Sequence, residues 1–173
     1  MINLVIWNEF LHEKENDQVK SIYPKGIHEC IKEFLSKDKE LSISTATLEE
    51  KDHGLSEELL EKTDVLIWWG HKAHKLVEDK IVDRIQQRVL EGMGLLVLHS
   101  GHHSKIFKRM MGTTANLRWA ERGEKERIWV CNPGHPIADG LDEYFEIEMT
   151  EMYGEPFQAV SYTHLRAHET LRY

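Results

Sequence analysis

Cysteine is nearly absent. The 173 residues carry only Cys30 and Cys131, far apart and outside any CxxC spacing, which excludes a disulfide framework or a zinc-finger scaffold and points to a reducing, cytoplasmic setting. No run approaches the ~18 consecutive apolar residues of a membrane-spanning helix, and the amino terminus enters a strand-like run with no secretory signal, so no membrane is expected. Positive charge is also scarce: 22 Lys and Arg stand against 30 Asp and Glu, a net charge of -8. The charges are interleaved, with no basic stripe, so no nucleic acid is expected as a partner. Internal repeats and low-complexity segments are missing too. What remains, at 40% hydrophobic residues, is the composition of one soluble domain with a core of its own, alone or as a homo-oligomer.

The densest chemistry lies in residues 95–104, LLVLHSGHHS. Its aliphatic run after Gly92 and Gly94 predicts a central strand buried on both faces, as in a parallel sheet covered by helices. Ligands of such sheets bind outside the carboxyl ends of the strands. That places His99, Ser100, His102 and His103 at the mouth of a site, with Gly101 permitting a tight turn. Two other apolar runs end in the same way: residues 2–7 release into Asn8, Glu9 and His12, and residues 64–70 into His71 and His74.

Between these runs lie helical patterns. Ile27, Ile31, Phe34 and Leu35 form one stripe, and Val77, Ile81, Ile85 and Val89 another; Ser56 caps a short helix, and residues 41–48 alternate as a less buried strand. Ile106, Phe107, Met110 and Met111 predict a helix that stops at Gly112. Residues 127–131 and 145–149 are weaker strand candidates, separated by Pro133, Pro136 and Gly140. Strands alternating with helices predict an α/β fold, a doubly wound, mostly parallel sheet with its strand ends gathered on one side.

From Val160 the patterning changes. One reading frame of a common transposase mosaic end and its adapter encodes residues 160–169 and begins Thr170, so residues 159–173 are read as a non-native tail and excluded, with His164 and His168.

Five of the 11 histidines, His71, His74, His99, His102 and His103, fall near two predicted strand ends. Imidazole is both a common metal ligand and the side chain that titrates near neutrality, so the cluster suggests acid/base or metal chemistry; the plainer reading of any single member is a hydrogen bond to a loop carbonyl. A zinc site needs about three protein ligands plus water. His71, His99 and His102 are candidates, with Glu9 or Glu151 as a carboxylate, but no HExxH signature selects a set, and the sequence leaves the cofactor open. Trp7, Trp68 and Trp69 offer aromatic faces to a sugar, though alternation puts Trp68 and Trp69 on opposite sheet faces. His135 in the PGHPI turn and Glu151, Tyr153 and Glu155 in EMYGE have no packing rationale and are expected at the crevice, the alternative for the glutamates being a solvated loop.

Residues 7–10 (WNEF), 65–74 (VLIWWGHKAH), 90–105 (LEGMGLLVLHSGHHSK), 111–114 (MGTT), 133–137 (PGHPI) and 151–155 (EMYGE) together resemble the trehalose-utilisation protein ThuA family. The resemblance covers residues 1–158. It implies a flavodoxin-like fold similar to class I glutamine amidotransferases, in one ThuA-like α/β domain that is incomplete at its C-terminus, and a role in the use of trehalose or a related disaccharide. In amidotransferases of this fold a cysteine nucleophile lies on the turn after a central strand, in a G-x-C-x-G-H pattern; aligning Gly101-His102 with its Gly-His puts His99 at the cysteine position. A thioester mechanism is thereby excluded. The resulting expectation is an enzyme in which His99, supported by Glu9 or Glu151, moves a proton on a sugar or keto-sugar. Trp7, Asn8, Trp69, His71, His74, Ser100, His102, His103, His135 and Tyr153 would bind the substrate, and a divalent metal such as zinc would polarise the same oxygen. The alternative is a sugar-binding or regulatory module without turnover.

Overall fold

Strand β1, Ile2–Asn8, carries Leu4, Val5, Ile6 and Trp7 in an unbroken buried run. A strand can bury consecutive residues only when both faces of its sheet are covered. The computed structural model describes residues 1–154. It divides into two compact units, the first being Met1–Met110 and the second beginning at Met111.

In the first unit β1 is flanked by two parallel strands, β2 (Leu41–Thr47) and β3 (Val65–Trp69), and β3 pairs in parallel with β4 (Gly94–Val97), giving the order β2-β1-β3-β4. This is the expected flavodoxin-like α/β sheet. Alternation divides the core between two faces. Val5, Trp7, Leu66 and Trp68 pack with Ile81 and Ile85, while Leu4, Ile6 and Ile67 meet Ile31, Leu35 and Ile43 from the opposite side. Helices α1 (His12–Glu15), α2 (Asp17–Ile22) and α3 (Ile27–Leu35) follow β1; α4 (Glu57–Glu61) follows β2; α5 (Asp79–Leu90) follows β3; α6 (Lys105–Met111) follows β4.

Several local expectations hold for physical reasons. Ser56 Oγ accepts the backbone N–H of Leu59 and caps α4. The four-residue spacing from Val77 to Ile85 yields three side chains at 0–2% exposure, because it keeps one face of α5 on the sheet. Gly112, at φ +68°, follows the last residue of α6.

Others are corrected. Leu96 is 49% exposed, so β4 is not a central strand buried on both faces. Among the described residues β4 has β3 on one side and no strand on the other; Leu95 and Val97 pack into the larger core, and Leu96 points to the thinly covered face. Phe34, expected in the stripe of α3, is also exposed, with the Lys37 ammonium 5.5 Å above its ring. His12 lies in α1 rather than a loop.

The second unit contains β5 (Arg118–Trp129) and β6 (Tyr144–Gly154), an antiparallel ribbon with register irregularities on either side of Glu124. Both strands outrun the short segments expected at 127–131 and 145–149. Most residues of the pair are exposed and none is fully buried, and a ribbon wet on both faces has no apolar alternation to mark its length. Glu151 and Tyr153 accordingly sit in a strand, not in the solvated loop that was the alternative reading for Glu151. Gln158 and the tail from Val160 lie outside the described residues, as does Glu155.

Candidate functional site

The mouth of the first unit is assembled from the loops that leave three parallel strands. Asn8, at the end of β1, is fully buried and its amide orientation is fixed by its neighbours. Its Oδ1 accepts the N–H of Phe10 at 2.8 Å; its Nδ2 donates to Glu13 Oε1 at 2.7 Å and lies 2.9 Å from His28 Nδ1. Both contacts of the amide nitrogen demand acceptors, so His28 carries its proton on Nε2. Burial also lowers the His28 pKa. Glu13 Oε1 accepts a second bond, from the N–H of Ile27 at the start of α3, while its buried Oε2 has no partner among the described residues. Asn8, expected to bind substrate, is instead the hub of a network that holds the loop after β1.

Glu9 does the same for the loop after β3. The residue is 1% exposed, and its two carboxylate oxygens accept the N–H groups of Lys72 at 2.7 Å and Ala73 at 2.9 Å. These bonds span the junction of β1 and β3, the topological switch point of a sheet in this order. Through these two bonds Glu9 clamps the β3 loop. Gly70 lets the loop close: a Cβ there would stand 3.3 Å from His74 Nδ1 and 3.4 Å from Glu9 Oε2. The Ser100 hydroxyl donates to the Gly70 carbonyl at 3.0 Å, tying the loop after β4 to the same place.

Trp7 is corrected outright as a sugar platform. It is 1% exposed, stacks on Trp68 at 3.7 Å between ring centroids, and donates its indole N–H to the His53 carbonyl. Strand alternation did separate the two neighbours as expected, for Trp69 is half-buried beside His71, their centroids 6.1 Å apart. His71 is exposed and stacks on His12 at 4.7 Å, bringing together the loops after β1 and β3.

The turn after β4 runs through residues 99–103. His99 is exposed and has φ +39°, a left-handed backbone that a side chain with a β-carbon adopts at a cost. Gly101 is required by close approach, since a Cβ there would lie 2.8 Å from Val97 Cγ1. His102 is buried and its ring is 4.1 Å from that of His103; His103 and His74 meet edge-on at 6.3 Å. Burial, reinforced by His102, Lys108 and His74, pushes His103 down to about 4, and burial lowers His74 against the opposing charge of Glu9. Both rings are therefore neutral near pH 7, able to donate from one nitrogen and accept at the other.

A metal fits this arrangement poorly. Among the described residues no three His, Cys, Asp or Glu side chains gather as a ligand set, and the candidates His71, His99 and His102 do not form one.

Three expected site residues belong to the second unit. His135 Nδ1 accepts the N–H of Ile137 at 3.1 Å and caps its own turn. Glu151 and Tyr153 are half-buried on β6; burial and the Glu151 charge push the Tyr153 hydroxyl up to about 12. Glu13 and His28 escaped the sequence reading, because a buried polar contact between a strand end and two helices leaves no periodic signal.

A family model described as ThuA, trehalose utilisation, matches residues 3–170. A solved structure described as a ThuA-like protein from Bacteroides uniformis is similar in fold, with a TM-score of 0.64 at 16% identity. The alignment covers 88% of this chain and 60% of that one, so the chain spans about three-fifths of that protein's length. No curated protein matches.

Proposed function

The chain belongs to the trehalose-utilisation family ThuA, and on that premise we propose that it is a carbohydrate-active enzyme. In this reading a sugar or keto-sugar binds at the carboxyl ends of β1, β3 and β4, and His99 moves a proton on one of its hydroxyls. The carrying observation is the backbone of His99, exposed and left-handed on the turn that leaves β4. Holding a non-glycine residue there costs on the order of 1–3 kcal/mol, and such strain clusters where a fold presents a reacting group. A strained strand-to-helix turn is also how α/β hydrolases expose their nucleophile.

The other groups divide the remaining work. His71, beside Trp69, supplies an exposed ring against an apolar sugar face, His103 and His74 supply neutral donors and acceptors to hydroxyls, and His102 supplies a further ring nitrogen. Glu9 and Ser100 are positioning residues that act through the loop at Gly70. With imidazole at the turn, the step is proton transfer rather than acyl transfer, and no step is routed through a metal. Two exposed cysteines outside any disulfide, Cys30 and Cys131, support a reducing cytoplasm as the setting.

The alternative, binding without turnover, draws on the same turn, which carries no thiol. Kinetics on trehalose, related disaccharides and their keto derivatives separate the two. An enzyme loses about 10²-fold or more in kcat, together with its pH dependence, in His99→Ala at unchanged melting temperature. A binder shows no turnover in the wild type and loses affinity only. If His99→Ala retained turnover of every sugar that the wild type converts, the assignment of His99 would be wrong.

A further inference from the structure

The ribbon of β5 and β6 holds ligand chemistry of its own. Arg118, Trp119, Arg122, Glu124, Met152 and Tyr153 line an open groove of about 420 Å³, within the range of small-molecule sites. We propose that this groove binds a small ring-bearing anion, its phosphate or carboxylate held between Arg118 and Arg122 and its ring laid on Trp119.

Two features that are costly without a ligand converge here. Trp119 is 64% exposed, among the least favourable side chains to leave in water, and it stands directly across the strand pair from Tyr153. The second feature is unpaired positive charge in a chain of net charge -8. Farther along the same strand, Lys125 and Arg127 are neutralised by Glu146 and Glu148. Arg118 and Arg122 have no ion-pair partner among the described residues, although both are exposed and face one groove. Against the two arginines the lining itself sets one carboxylate, Glu124. Planar guanidinium forks match the oxygens of phosphate and carboxylate, which is the chemistry that satisfies arginines without a carboxylate partner.

The backbone is shaped for the same purpose. Between Ala120 and Glu124 the ladder loses register, and Gly123 turns at φ +72° within that stretch. A bulge of this kind re-aims side chains relative to a regular strand. The Tyr153 hydroxyl, pushed up to about 12, stays protonated and forms a neutral wall beside the ring.

Titration calorimetry of the whole chain with glucose 6-phosphate, glucuronate, glucose and inorganic phosphate tests the proposal and identifies the anion. At least one of the two ring-bearing anions is expected to bind tenfold or more tightly than both glucose and inorganic phosphate. Arg122→Ala and Trp119→Ala should each weaken it at least fivefold, with Arg122→Lys intermediate because charge survives without the fork. These side chains are exposed, so thermal melts should be unchanged and a lost signal reports the groove. Equal affinity for inorganic phosphate and both ring-bearing anions overturns the proposal, as does an affinity indifferent to Arg122→Ala and Trp119→Ala.

Discussion

The parallel sheet and the antiparallel ribbon are stabilised by different means. In the sheet, Val5, Ile6, Trp7, Leu66 and Trp68 are at most 2% exposed, so removal of apolar surface from water dominates. The ribbon leaves Trp129, Phe145, Ile147 and Met149 in solvent and relies on cross-strand pairs, such as Arg127 with Glu146 and the Arg127 guanidinium over Tyr144 at 4.5 Å. One region cannot lose volume without a cavity. The other can lose a side chain and let water in.

The largest expected contrast comes from tryptophan. Trp68→Ala should cost about 3–5 kcal/mol, because neighbours on both sides prevent collapse of the cavity, whereas Trp129→Ala on the ribbon should cost under about 1 kcal/mol; urea unfolding of both variants measures the difference. Similar losses would mean that the ribbon is buried in solution after all.

Next comes the buried polar network. Asn8→Ala strips donors from Glu13 and from His28 Nδ1 and orphans the Phe10 N–H, an expected loss of about 2–3 kcal/mol in the same assay. The network also sets a pH response. His28 and His74 have folded pKa values below the ordinary 6.5, so the fold binds fewer protons than the unfolded chain. Their contribution is complete above about pH 6.5 and is lost as pH falls from there through their lowered values, a window that His103, at about 4, extends downward. Melting temperatures between pH 8 and pH 4 should fall on the acid side, and the slope should be shallower in a His28→Phe variant.

Smaller still is the expected gain from relieving the strained turn. His99→Asn, a residue that tolerates the left-handed region, should stabilise by about 0.5–1 kcal/mol while abolishing the proposed turnover. A stabilised, active His99→Asn would separate the strain from the function. Last is Arg127→Ala, expected to lower the urea midpoint only slightly, and less in 1 M salt than in 0.05 M, because its ion pair is exposed.

The two regions also differ in how much of them could be read in advance. Runs such as VLIWWGH announce a doubly buried strand with polar groups at its end, so the parallel sheet and the α5 face were legible. The ribbon was half legible, since charges such as Glu121, Glu124 and Lys125 inside a strand imitate a loop. Within the site, position along the chain identified which residues reach the mouth but not which way they face. Trp7 and Trp69 look interchangeable in sequence; one is a core stack and the other lies beside His71 at the opening.

The sequence alone thus determined family and sheet type, because motifs and hydrophobic periodicity are local properties of the chain. Only the tertiary structure decided that Glu9 is a clamp, that Asn8 serves His28 and Glu13, that β4 has β3 as its one strand neighbour among the described residues, and that His99 stands on a left-handed turn. Each of those depends on residues distant in sequence meeting at fixed distances, and packing, not local pattern, fixes such distances.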